Sequence, residues 1–199
     1  MRILLIGATG TIGGPLYNTL AKKNEIIPAY RNSEAYAIDI TNKESIEDFL
    51  KNQQPFDAII NAAGHAVWKP FTELNEADYY EGIRSKLMGQ VNLVHIAQKY
   101  LKDNGRIILT TGILAEKYEP NAVSLSLVNG AIHSFVMAAA HELPKNILLQ
   151  VVAPGAIEGN FPSDKKFSGY YPVAIEKVIE TYEKALNTET SGNLFKIYE

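Results

Sequence analysis

Two kinds of hydrophobic pattern alternate along the chain. Short apolar runs with little polar interruption, RILLI (2–6), EIIPA (25–29), DAIIN (57–61), GRIILTT (105–111), ILLQVVA (147–153) and NLFKIY (193–198), predict strands, mostly covered on both faces. AYAID (35–39) predicts one further short strand. Between these runs, apolar residues recur at helical spacing. One helix passes through Leu16 and Leu20, with Pro15 in its first turn, where a missing N–H costs little. Thr41 and Glu44 have capping-box spacing ahead of the helix ESIEDFL. A long helical region spans about 73–101, with Ile83, Leu87, Val91 and Val94 on one side. Further helices are predicted over 121–142 and from Pro172 to Leu186.

Strands alternating with helices imply right-handed crossovers. The expected fold is a single α/β Rossmann domain over 1–199, a doubly wound parallel sheet of about seven strands with helices on both faces. In such sheets ligands bind beyond the carboxyl ends of the strands.

That end of the first predicted strand carries GATGTIGG (7–14). Gly7, Gly10 and Gly13 stand between strand and helix. A backbone without Cβ atoms lets a pyrophosphate approach the helix N-terminus, whose free N–H groups favour anions. Thr9 and Thr11 add hydroxyl donors. The second strand ends in AYRN, with Arg31 and no carboxylate before Glu34. A planar guanidinium there suits the 2′-phosphate of NADP, whereas NAD sites favour an acidic residue.

Composition narrows the function classes. A net charge of -3 gives no basic field for nucleic acid or an anionic membrane. No apolar run approaches the roughly 18 residues of a membrane span. MRILLIGATG lacks the length and cleavage site of a signal peptide. Cys is absent, which fits a reducing, cytoplasmic setting, and the scattered His residues predict no metal site.

The motifs together resemble the short-chain dehydrogenase/reductase family across almost the whole chain. GATGTIG resembles the family's Gly-rich loop, with the spacing of its extended and atypical branches. Asp39-Ile40 resembles the pair that holds the adenine ring, NAAG (61–64) the NNAG motif, and Pro154-Gly155 the turn beside the nicotinamide. The resemblance and the loop imply a cofactor lining of Gly7, Thr9, Gly10, Thr11, Ile12, Gly13, Arg31, Asp39, Ile40, Asn61, Ala62, Ala63, Gly64, Pro154, Gly155 and Ile157.

The same resemblance implies four catalytic positions: a Tyr that shuttles the proton, a Lys one helical turn on, a Ser after the fifth predicted strand, and an Asn on the preceding long helix. Here these positions fall on Leu125, Asn129, Gly112 and Lys86. No Tyr in the chain has a Lys four residues later. In this the chain is similar to a compact bacterial subgroup of the family that lacks the usual set. Candidate substitutes are Thr110, Thr111 and Tyr118, with Ser124, Ser126, His65 and Trp68 nearby in sequence to the predicted site. Each also has a purely structural explanation, such as strand packing or helix-start hydrogen bonding.

The helix over 121–142 is apolar nearly all round. Leu125, Val128, Ile132, Phe135 and Ala139 form one stripe, with Leu127, Ala131, Ala138 and Ala140 elsewhere. A helix apolar on several faces is buried on several faces, and the family resemblance implies homo-oligomers formed through this helix and the region 73–101. The segment from Gly159 to Tyr171 has the polar and aromatic mix of a substrate lid. The functional expectation is an NADP(H)-dependent oxidoreductase for an unknown small carbonyl or alcohol, with a non-standard active site. The alternative is an inactive nucleotide-binding redox sensor or scaffold.

Overall fold

The computed structural model describes residues 1–198. Six parallel strands form one sheet in the order β2-β1-β3-β4-β5-β6. They are β1 (Arg2–Ile6), β2 (Glu25–Ala29), β3 (Phe56–Asn61), β4 (Leu101–Thr110), β5 (Leu148–Pro154) and β6 (Leu194–Ile197). The helices are α1 (Gly13–Leu20), α2 (Lys43–Gln53), α3 (Glu76–Gly82), α4 (Met88–Ala97), α5 (Val123–Ala139) and α6 (Ile175–Asn187). A π-helical turn, Ile83–Leu87, joins α3 to α4.

Strand alternation divides the core between the two faces. Leu4, Ile6, Ile59, Ile107, Leu109 and Val151 pack with Leu50 of α2, Leu93 of α4 and Ile132 and Val136 of α5. Ile3, Leu5, Ile60, Ile108 and Val152 pack with Leu16 and Leu20 of α1 and Val178 and Tyr182 of α6. Both faces of the sheet are therefore dry, as a parallel sheet requires.

Three sequence expectations are corrected. The segment 35–39 is not a strand, so the sheet has six strands rather than seven. Its backbone is taken up locally: Tyr36 N–H donates to Ser33 Oγ and Asp39 N–H to Ser45 Oγ, leaving a single bridge between Tyr30 and Ala37. The cap of α2 is Asn42, whose side chain accepts from the N–H groups of Glu44 and Ser45. Thr41 instead turns its hydroxyl to Asp39. On α5 the fully buried face runs through Ser124, Val128, Asn129, Ile132, His133 and Val136, while Leu125, Phe135 and Ala139 are only partly buried against the core. The helix thus presents two polar side chains, Asn129 and His133, inward one turn apart.

Among the described residues no helix is long and apolar enough to cross a membrane.

Candidate functional site

The chain runs outward in opposite directions from β1 and β3, so the topological switch point lies between their carboxyl ends. Gly7 leaves β1 there with φ +84°, and a Cβ on it would stand 2.9 Å from the Ala62 carbonyl carbon. Gly13, buried beneath the turn, packs against the Gly7 backbone so closely that no side chain fits. α1 then begins with no side-chain cap and no acidic residue in its first turn. The turn keeps Thr9, Gly10 and Thr11 exposed above this uncapped helix end. These are the features a phosphate cradle needs.

Two cavities flank the turn. The smaller, about 140 Å³, is lined by Gly7, Tyr30, Arg31, Ile38, Ile40, Ala63, Gly64, His65 and Ser85, among others. Arg31 pairs with Asp39 at 3.7 Å on its rim. Burial alone would raise the Asp39 carboxyl, but hydrogen bonds from the Thr41 N–H and hydroxyl, with Arg31 beside it, hold it below its ordinary value. Asn61, at the end of β3, is fully buried, with its Nδ2 donating to the Ala63 carbonyl and its Oδ1 without a partner.

The larger cavity, about 330 Å³, opens on the other side. Ile12, Pro154, Gly155 and Ile157 line it, with Trp68, Ile113, Leu114, Phe161 and Phe167. Lys86, Gly112, Leu125 and Asn129 line the same space, together with Thr111. The four positions read from sequence as catalytic therefore converge, although they come from the π-helical turn, the end of β4 and α5. Removal from water brings the Lys86 ammonium down to about 8, and among the described residues it has no ion-pair partner. Asn129 is buried and its Oδ1 has no hydrogen-bond donor.

The two threonines after Leu109 point to opposite faces, as strand alternation dictates. Thr110 Oγ1 donates to the Asn61 carbonyl and shares a 2.6 Å hydrogen bond with Tyr182 on the α6 side. Burial pushes the Tyr182 phenol well above its ordinary value. Thr111 faces α5, where its Oγ1 lies 2.8 Å from His133 Nε2. Tyr118 is 80% exposed and lies outside the cavity lining. Ser124 is fully buried with its Oγ unpaired, and neither it nor Ser126 lines the cavity.

The segment 159–171 folds over the cavity. Asn160 Nδ2 donates to Thr11 Oγ1 at 3.0 Å, the Ser168 N–H donates to Glu119, and the Phe167 ring meets Trp68 at a tilt and Phe161 edge-on. Sequence reasoning missed Asn160, His133 and Glu116. Only the helical spacing of His133, one turn after Asn129, carried a signal of its inward position.

Comparison with known proteins fits this geometry. The model of the enoyl-(acyl carrier protein) reductase family matches residues 17–179. The crystal structure of the protein lin1944 from Listeria innocua superposes with a TM-score of 0.94 at 38% identity, over 100% of both chains. A small-chain dehydrogenase solved in complex with NADPH superposes with a TM-score of 0.86 at 21% identity, over 100% of this chain and 96% of that one. An uncharacterised oxidoreductase, YmfI of Bacillus subtilis, is 26% identical over 79% of this chain and 75% of its own. Against a glucose and ribitol dehydrogenase homologue from Arabidopsis thaliana, 28% identical over 58% of this chain, the match spans only 40% of the relative. Fold, motif order and family match agree, and the chain belongs to the short-chain dehydrogenase/reductase family.

Proposed function

We propose that this chain binds NADP(H) and is an oxidoreductase for a small, largely apolar carbonyl or alcohol, with a non-standard active site. One observation carries the reading: Lys86, Thr111, Gly112, Leu125 and Asn129 line a single cavity that reaches the Gly-rich turn through Ile12.

The residues fit the cofactor. Gly7 and Gly13 leave the turn close to the uncapped start of α1, which suits a pyrophosphate. Arg31 stands at the rim of the smaller cavity, where a 2′-phosphate would compete with Asp39 for its guanidinium. Ile40, Ala63 and Gly64 provide apolar lining for the adenosine part, and Pro154, Gly155 and Ile157 the wall nearest the larger cavity. The family neighbour solved with NADPH supports the same choice of nucleotide.

When bound, the nicotinamide supplies or takes up the hydride. The chain's own groups bind and orient the substrate. Ile113, Leu114, Leu125, Phe161 and Phe167 favour an apolar body. Lys86 offers a cation to the substrate oxygen, strengthened by the apolar surroundings. Asn129 Oδ1 offers an acceptor to a hydroxyl or N–H. The segment from Gly159 to Tyr171 acts as a lid that excludes water.

The functional unit is a homodimer in the cytoplasm. Exposed Val123, Leu127 and Met137 on α5, with Tyr80 and Met88 near the π-helical turn, supply an apolar face for a second copy. A second reading, an inactive redox sensor or scaffold, is favoured by the absence of any Tyr with a Lys four residues on. Incubation of the purified chain with NADPH and a panel of small aldehydes and ketones, followed by nicotinamide absorbance, separates the two. Turnover of any member supports the enzyme, and tight binding with no turnover supports the sensor.

A further inference from the structure

The larger cavity has a polar path leading out of it that the family's usual chemistry does not require. Thr111 lies at the end of β4, its backbone fixed by an N–H bond to the Val152 carbonyl. Its Oγ1 meets His133 Nε2 at 2.8 Å, and both side chains are buried. The other ring nitrogen, Nδ1, faces Glu116 Oε1 at 3.9 Å. Glu116 is partly open to solvent, with its side chain 34% exposed, and it is fixed by Lys196 at 2.8 Å and the Tyr198 hydroxyl at 3.3 Å. The sequence runs cavity–Thr111–His133–Glu116–solvent, hydrogen-bonded at its first link and separated by 3.9 Å between His133 and Glu116.

We propose that Thr111, His133 and Glu116 form the proton-transfer path of this site, replacing the absent Tyr and Lys. The proposal rests on the oxidoreductase reading above. Thr111 is the group that touches the substrate oxygen, and His133 and Glu116 act through it.

The geometry favours the Nδ1–H tautomer, turned toward the Glu116 carboxylate. His133 Nε2 then accepts the Thr111 O–H, and a Thr111 lone pair is free to accept from a substrate hydroxyl. In alcohol oxidation the carbon loses a hydride to the cofactor. The hydroxyl proton passes to Thr111 Oγ1 as the Thr111 proton passes to His133 Nε2. The resulting imidazolium, stabilised by Glu116, releases its Nδ1 proton to solvent past that carboxylate, and exchange of the ring proton with solvent after product leaves restores the Nδ1–H tautomer. Reduction runs the same transfers in reverse, beginning from the imidazolium. The products balance: one carbonyl, one hydride delivered and one proton released.

A threonine hydroxyl alone is a poor acid, so the path needs the histidine to move with it. Burial pulls the His133 imidazolium below its ordinary value of 6.5, Glu116 pulls it back up, and Lys196 beyond Glu116 lowers it again. At neutral pH the ring is therefore neutral and poised as a base. Lys86, at about 8, is the competing proton source in the cavity, and the two differ in where the pH limb falls.

The test combines kinetics with NMR. Thr111→Val and His133→Gln should each lower kcat by about 10²–10⁴-fold while NADPH affinity, measured by calorimetry, is unchanged. Thr111→Ser keeps the hydroxyl and should retain most activity. Oxidation by the wild type should rise with pH along a limb below 6.5 that disappears in His133→Gln. In the nucleotide-free protein, Glu116→Gln should lower the His133 titration point followed by ring NMR, and an unchanged titration point overturns the path through Glu116. Full activity in His133→Gln, or a limb near 8 that vanishes in Lys86→Met, overturns the path while leaving the oxidoreductase reading intact. A wild type that binds no NADPH, or binds it and turns nothing over, overturns both.

Discussion

Gly13 packs against Gly7 so tightly that a Cβ on Gly13 would overlap the Gly7 carbonyl oxygen. The obstruction is backbone, which cannot rotate aside. A larger residue here would do more than fill the approach of the pyrophosphate. In the structure it would first displace the turn itself. Gly13→Ala should therefore cost about 1–3 kcal/mol of stability by overpacking and weaken NADPH binding at least tenfold, about 1.4 kcal/mol. Thermal unfolding and calorimetry on the same sample check both parts.

On the proposed reading the 2′-phosphate meets Arg31, which pairs with Asp39 at the rim of the smaller cavity. Arg31→Ala should weaken NADPH more than NADH, by a factor of about ten to a hundred, the range of a charge-assisted hydrogen bond worth roughly 1.5–3 kcal/mol. Equal losses for the two nucleotides would remove Arg31 from the 2′-phosphate site.

Tyr182 lies on the face of the sheet opposite the larger cavity and bonds Thr110 at 2.6 Å. Tyr182→Phe should remove about 1 kcal/mol and leave nucleotide affinity unchanged, because Thr110 keeps its bond to the Asn61 carbonyl. The expected fall in Tm is about 2–4 °C for a chain of this size. A loss of NADPH binding in this variant would mean that the α6 face communicates with the site.

Acid should destabilise the fold in two stages. The His133 imidazolium is depressed below 6.5, so the unfolded chain takes up its proton first, and stability falls as pH drops through and below that value. Glu116 is held below its ordinary 4.5 by its bond to Lys196, so its contribution is present above 4.5 and lost as pH falls through the folded value. His133→Gln should remove the first stage and keep the second, as read by denaturant unfolding across the acid range.

The exposed apolar face of α5 predicts the oligomer. Leu127→Glu should convert a dimer to a monomer in sedimentation velocity, with the fold intact by circular dichroism. Leu127 is 44% exposed, so the substitution removes no core contact.

Much of this architecture is legible in the chain. The runs around Leu4, Ile59, Ile108 and Val151 are unbroken because both faces are covered, and unbroken runs read directly as parallel strands. The segment around Ala37 misled because its local alternation looks like a strand, whereas the Ser33 and Ser45 hydroxyls take up its backbone groups. The cavity at the strand ends was legible in part through motif spacing, which singled out Lys86, Gly112, Leu125 and Asn129, four residues that line one cavity. The Thr111–His133–Glu116 path was not, because the spacing of His133 one turn after Asn129 hints at its face but not at the residues it meets there. His133 faces inward only because α5 rotates its Val128 and Ile132 face onto the sheet.

The most direct test of the whole account is a calorimetric titration of the purified chain with NADPH and then NADH. Saturable NADPH binding, tighter than NADH and diminished in Arg31→Ala, is the predicted result. A folded protein that binds neither nucleotide would contradict it, leaving the Gly-rich segment as a turn and the cavity without its hydride source.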